Sequence, residues 1–151
     1  MSDLLVPLYD LPRFEEFKEG FRVGKPPLHY APRILSFIGD NFSDGWKAEA
    51  KPAFGSVPPT IITALEIITG RIVGFCCWDC TAKGFLGPIG VHADFRGKSI
   101  GRALVISALH SMREAGYSYG VIGDAGPVEF FRKICDARII DGSEKRIKPF
   151  K

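Results

Sequence analysis

The chain has no apolar run near the roughly 20 residues that would cross a bilayer, so no membrane partner is expected. Charge of one sign is also scarce. A net +3 is too small to imply nucleic-acid binding, and the basic residues are scattered except around Arg96–Arg102 and at the tail Lys145-Arg146-Ile147-Lys148, read as a solvated end. Met1-Ser2-Asp3 leads into a short apolar stretch broken at Pro7, without a basic start or a small-residue cleavage site. The expectation is therefore no signal peptide and a cytoplasmic location. Cysteines number only four, and no metal site is expected of them. Cys77-Trp78-Asp79-Cys80 has the spacing of a redox motif, but reactive dithiols of that type sit at helix N-termini, whereas Ile72–Trp78 reads as strand. On a strand Cys77 and Cys80 point to opposite faces, so both, like Cys135, are expected to be small core side chains. No repeat, low-complexity segment or linker divides the sequence. One domain spanning 1–151 is expected, long enough to fold without staples.

What is present is an ordered succession of short elements. Leu4–Leu8 reads as a strand, and Phe14, Phe17 and Phe21 recur at helical spacing, which predicts an amphipathic helix over 11–21. Gly24-Lys25-Pro26-Pro27 breaks the chain, Pro32 opens a second helix through Ile38, and Ser43-Asp44 can cap a short third helix bearing Trp46. Thr60–Ile68 and Arg71–Trp78 are β-branched runs joined at Thr69-Gly70, and Phe85–His92 follows as a third strand of an antiparallel meander. Gly87, Pro88 and Gly90 spoil that third strand as an ordinary ladder member. It is expected to lie beside a gap where an extended ligand pairs with its backbone. Ile100–Ala115 carries an apolar helical stripe stopped by Gly116, then come a strand at 117–122, a helix at 128–135 and a last strand at 137–140.

Between the irregular strand and the long helix lies Arg96-Gly97-Lys98-Ser99-Ile100-Gly101-Arg102. Glycines let a main chain come close to a phosphate, a helix start supplies unpaired N–H donors, and Arg and Lys side chains neutralise charge. A P-loop fits its second half only, because the position needing the leading glycine holds His92. The stretch resembles instead the pyrophosphate loop of the GNAT N-acetyltransferase superfamily, Arg/Gln-x-x-Gly-x-Gly/Ala. The likeness extends from Ile72 to Ser143, taking in Gly90–Phe95 before the loop and Gly126–Lys133 after it.

That resemblance implies an α/β (α+β) fold with a mixed, mostly antiparallel central sheet flanked by helices on both faces. It implies acetyl-CoA as co-substrate and direct transfer of the acetyl group to a small-molecule or peptidic amine. The cofactor-binding residues it implies are Ile89, Gly90, Val91, Arg96, Gly97, Lys98, Ser99, Ile100, Gly101, Arg102 and Phe131. The family's usual Phe-Tyr pair on the later helix, whose tyrosine protonates the leaving thiolate, reads Phe130-Phe131 here. An alternative is thus an acyl-CoA-binding module with weak or no transfer. Ser99 replaces a loop glycine and is expected to act as an N-cap, although a positive φ would hinder phosphate approach. A reading in which Ser99 blocks the loop and no cofactor binds also stays open. Candidates for proton transfer are Glu66, His92 and Tyr119, with Tyr117 on the same strand face. Each has a plainer reading: solvated edge carboxylate, turn residue, or core packing. His29 and Tyr30 fall where the family's acceptor site lies. The acceptor's identity and any homodimer are left open.

Overall fold

The computed structural model describes residues 1–145, so Arg146, Ile147 and Lys148 of the basic tail lie outside the described residues. One eight-stranded sheet organises the chain: β1 (Leu4–Pro7), β2 (Phe17–Lys18), β3 (Phe21–Gly24), β4 (Ile61–Glu66), β5 (Ile72–Trp78), β6 (Phe85–Val91), β7 (Tyr119–Ile122) and β8 (Arg138–Ile139). Their spatial order is β2-β3-β4-β5-β6-β7-β1-β8, and every neighbouring pair is antiparallel except β6 with β7. Among the described residues four α-helices accompany it: α1 (Ala31–Asn41), α2 (Asp44–Ala50), α3 (Ile100–Glu114) and α4 (Val128–Cys135). None of the described helices is long and apolar enough to cross a membrane.

β5 lies mid-sheet, and all seven of its residues are buried. Its side chains divide between two cores, with a bulge at Val73 shifting the alternation. Val73, Cys76 and Trp78 join the cluster containing Leu104, Leu109, Met112 and Phe131 from α3 and α4, whereas Ile72, Phe75 and Cys77 join Ile34, Ile38 and Ala50 from α1 and α2. The mixed sheet is therefore covered by helices on both faces, as expected from the sequence.

The helix expected over 11–21 does not form. Glu19 and Gly20, at φ 45° and 87°, make a tight turn between β2 and β3 where the helix would run. Phe21 and Val23 are buried while Arg22 is exposed, a period of two rather than 3.6. Phe14 and Phe17 stay 42% and 62% exposed, which a core-facing helical stripe would not allow.

The remaining helices follow their local signals. Pro32 sits in the first turn of α1, and the Ser43 side chain accepts the Trp46 N–H at 3.0 Å to cap α2.

Candidate functional site

β6 pairs with β7 only through Phe85–Val121 and Leu86–Ile122, after which the two parallel strands part. On its other edge β6 continues against β5 up to His92, whose N–H donates to the Val73 carbonyl at 2.8 Å. Alternate residues of a strand present their backbone groups to opposite edges. The N–H groups of Val91 and Ile89 consequently face the gap. Gly87, at φ +126°, takes a backbone conformation that glycine alone adopts readily, just where the pairing is lost.

Beyond β6 the chain tightens. His92 Nδ1 accepts the Asp94 N–H at 3.1 Å, capping a single 3-10 turn at Ala93–Phe95, and the Arg96 guanidinium donates from Nε to the Val91 carbonyl at 3.2 Å. Gly97 then turns at φ +78° and α3 begins at Ile100. The first intrahelical bond runs from the Ala103 N–H to the Ser99 carbonyl at 3.2 Å, so the N–H groups of Ile100, Gly101 and Arg102 precede it. They open onto a cavity of about 340 Å³ walled by Val91, Arg96, Gly97, Gly101, Arg102 and Phe130. The helix dipole, three free N–H groups and two guanidinium-bearing residues favour an anionic group at one end, and the apolar walls an aliphatic chain.

The structure brings together Val91, Arg96, Gly97, Ser99, Ile100, Gly101 and Arg102 in this cavity, with Ile89 and Gly90 continuing along β6. Lys98 is exposed and does not line it. Two expectations change. Ser99 makes no side-chain cap; it adopts the left-handed conformation at φ 60°, ψ 17°, a region that favours glycine and the positive φ that sets its side chain against phosphate approach at this position. Phe131 is 4% exposed and belongs to the core, whereas its neighbour Phe130, with its ring 5.0 Å from that of Phe131, faces the cavity. Ile134, which forms an i, i+4 pair with Phe130 on α4 and lines the cavity with it, is not among the residues expected from the sequence. That helical spacing was the signal that could have found it.

The proton-transfer candidates are not gathered. Glu66 ends β4 beside the hairpin turn and accepts the Thr69 hydroxyl at 2.7 Å, with β5 between it and β6. Both ring nitrogens of His92 are engaged, Nδ1 by the Asp94 N–H and Nε2 by Arg71 Nη2 at 3.2 Å. Tyr119 pairs with Pro7 at the closed end of β7 and stacks edge-on against Tyr9 at 5.4 Å. Tyr117 precedes β7, and its hydroxyl donates to Asp79 at 2.8 Å; burial, then this carboxylate, raise its pKa.

Cys77 and Cys80 do not point to opposite faces. The strand stops at Trp78, and Asp79 turns at φ 56°, swinging Cys80 back toward the α1–α2 core. There the Cys80 thiol donates to the Trp78 carbonyl at 3.4 Å and lies 3.7 Å from Thr60 Oγ1, and the neighbouring Cys77 and Thr60 side chains lower its pKa. Burial pushes the Cys76 and Cys77 thiols up, and Cys135 up to about 11.

Residues 31–135 match the acetyltransferase (GNAT) family. No curated protein matches the chain. Among solved structures, a GCN5-related glucosamine N-acetyltransferase region of a fungal multi-domain β-N-acetylglucosaminidase aligns over 92% of this chain and 19% of its own, at 15% identity and TM-score 0.73. A GCN5-related N-acetyltransferase from Sphaerobacter thermophilus aligns over 92% of this chain and 48% of its own, at 20% identity and TM-score 0.70. A GNAT family acetyltransferase from Brucella melitensis, solved with acetyl-CoA, aligns over 80% and 86%, at 22% identity and TM-score 0.54. The chain thus spans about half or less of the first two, and these likenesses concern the fold.

Proposed function

Since the chain belongs to the GNAT acetyltransferase family, we propose that it moves an acetyl group from acetyl-CoA directly to an amine. The observation that carries this reading is the parting of β6 from β7 directly above the free N–H groups that start α3. A closed sheet would not leave the N–H groups of Ile89 and Val91 facing a gap beside an anion site.

The residues present suit the cofactor. The N–H groups of Ile100, Gly101 and Arg102 would hold pyrophosphate oxygens, with Arg102 adding charge. Arg96 acts through the backbone, fastening the loop to Val91. The exposed edge of β6 would pair with the pantetheine amides, and Phe130 would pack against its aliphatic part. When bound, acetyl-CoA supplies an acetyl carbon activated as a thioester. The chain's task is to align that carbon with an amine, exclude water and let protons pass. The amine lone pair forms the N–C bond, the C–S bond breaks with its electron pair going to sulfur, and the proton shed by nitrogen balances the one sulfur takes up.

Neither Phe130 nor Phe131 can donate that proton. This favours a second reading, an acyl-CoA-binding module without efficient transfer. Release of free thiol from acetyl-CoA across a broad panel of amines separates the two. Transfer predicts amine-dependent thiol above the hydrolysis background in the wild type. Thiol that appears only in Phe130→Tyr or Phe131→Tyr supports the binding module. Of these, Phe130→Tyr places a hydroxyl in the cleft, while Phe131→Tyr buries one in the core at a cost of about 1–3 kcal/mol unless it finds a partner.

A further inference from the structure

A larger cavity, about 490 Å³, lies across the sheet from the cofactor cleft. Val91 and His92 are consecutive, so their side chains leave the strand on opposite faces, Val91 lining the cofactor cleft and His92 this one. Arg33, Phe37 and Asp40 of α1 line it from one helical face, and Arg71 and His92 close it from the sheet.

The cavity is polarised. At one end Arg33 Nη2 donates to the Gly70 carbonyl at 3.2 Å, its guanidinium 4.8 Å from the Tyr30 ring, while Arg71 Nη2 lies 3.2 Å from His92 Nε2 and its guanidinium 5.2 Å from the Phe95 ring. These contacts hold the Arg33 guanidinium at the hairpin turn and the Arg71 guanidinium against His92 and Phe95. Neither has a carboxylate within salt-bridge distance among the described residues, and Asp40 has no cationic partner there either. Most of the guanidinium N–H groups remain available to a planar anion. Asp40, exposed like both arginines, stands two helical turns further along α1 than Arg33, an axial rise of about 10 Å. Both ends border the cofactor strand: the basic end through Arg71 at His92, directly after Val91, and the acidic end through Phe42, just past Asn41, whose ring lies so close to Gly90 that a Cβ there would come within 2.5 Å of it.

We propose that this cavity holds the acceptor, and that the acceptor is a zwitterion carrying its amine at the Asp40 end and a carboxylate about 10 Å away at Arg33 and Arg71. The proposal rests on the transferase reading for the direction of the amine, but the polarity of the cavity stands apart from turnover. It makes Arg33, Arg71 and Asp40 specificity-determining residues and selects ω-amino acids or short peptides over simple amines and diamines.

The test compares ω-aminooctanoate, octylamine and octane-diamine with the CoA-loaded protein by calorimetry, and with acetyl-CoA by thiol release. The expected result is that ω-aminooctanoate binds roughly tenfold tighter than octylamine and shows a correspondingly lower KM. Arg33→Gln with Arg71→Gln reduces that preference about tenfold, and Arg71→Glu shifts it toward the diamine. Asp40→Asn weakens ω-aminooctanoate but not octanoate, a readout that general loss of structure would not give. Selective, arginine-dependent binding of ω-aminooctanoate without thiol release upholds the cavity assignment and overturns the transferase reading. Equal binding of all three, or a preference that ignores both arginines, overturns the assignment even where octylamine is acetylated.

Discussion

At the residue scale the loop carries its strain at Ser99. A non-glycine side chain at φ 60° costs about 1–2 kcal/mol, partly offset by the greater freedom glycine has when unfolded. Ser99→Gly is expected to stabilise the protein by about 0.5–1 kcal/mol, raising Tm by roughly 1–4 °C, while Ser99→Val lowers it. Calorimetric melting of both variants checks the sign. Cys80 offers a second residue-level test. Its sulfur is approached by the Cys77 thiol, the Thr60 hydroxyl and the Ala53 backbone, which together outweigh partial burial and favour the thiolate. Alkylation of Cys80, followed by mass spectrometry against pH, should begin below the pH at which an ordinary thiol reacts. Thr60→Val should move that onset upward.

At the element scale the two-faced role of β6 was partly legible. Its glycines and proline pointed to a strand unsuited to a full ladder, and the Arg96–Arg102 pattern pointed to an anion at a helix start. What spacing alone did not reveal was the turn at Asp79, a single positive φ that reverses the direction of Cys80. Nor did it distinguish Phe130 from Phe131, since a one-residue rotation about α4, 100°, decides which ring faces the cleft. The misread helix at 11–21 has the same origin: phenylalanines three and four apart satisfy helical spacing, yet Phe21 and Val23 also satisfy strand spacing, and the Glu19-Gly20 turn selects the latter.

Two element-level predictions follow from packing. Gly90→Ala drives a Cβ into the Phe42 ring, which is already enclosed by Phe37, Trp46 and Phe75, so a loss of about 1–3 kcal/mol is expected in denaturant unfolding. Its combination with Phe42→Leu should recover part of that loss. On α4, Cys135 donates its thiol hydrogen to the Phe131 carbonyl at 3.1 Å and ionises at about 11 rather than 9.0, chiefly because it is buried. Between those values the unfolded chain gives up this proton and the folded chain keeps it, so stability is full below pH ~9 and falls as pH rises toward ~11. Cys135→Ala should make that fall shallower in unfolding measured across the window.

At the scale of the whole molecule, the meander β4-β5-β6 and the crossover through α3 to β7 follow chain order and could be read from alternation and breaks, whereas β3 could not. The placement of β1 could not. It pairs with β7 more than 110 residues later and separates β7 from β8, a long-range choice on which local spacing is silent. That placement contributes to the site, because β1 occupies the far edge of β7 and leaves the edge toward β6 free to part from it above Leu86. The cleft proposed for the cofactor and the polarised cavity thus lie on opposite faces of one sheet, meeting at Val91 and His92.

The central claim, that the parted strand and the α3 start together hold CoA, is tested most directly by thermal unfolding with and without the cofactor. At CoA about 100 times its dissociation constant the account predicts about 2.7 kcal/mol of added stability, a rise in Tm of roughly 5–10 °C, much reduced in Gly101→Phe, which fills the cleft. An unchanged Tm in the wild type at saturating CoA would contradict it.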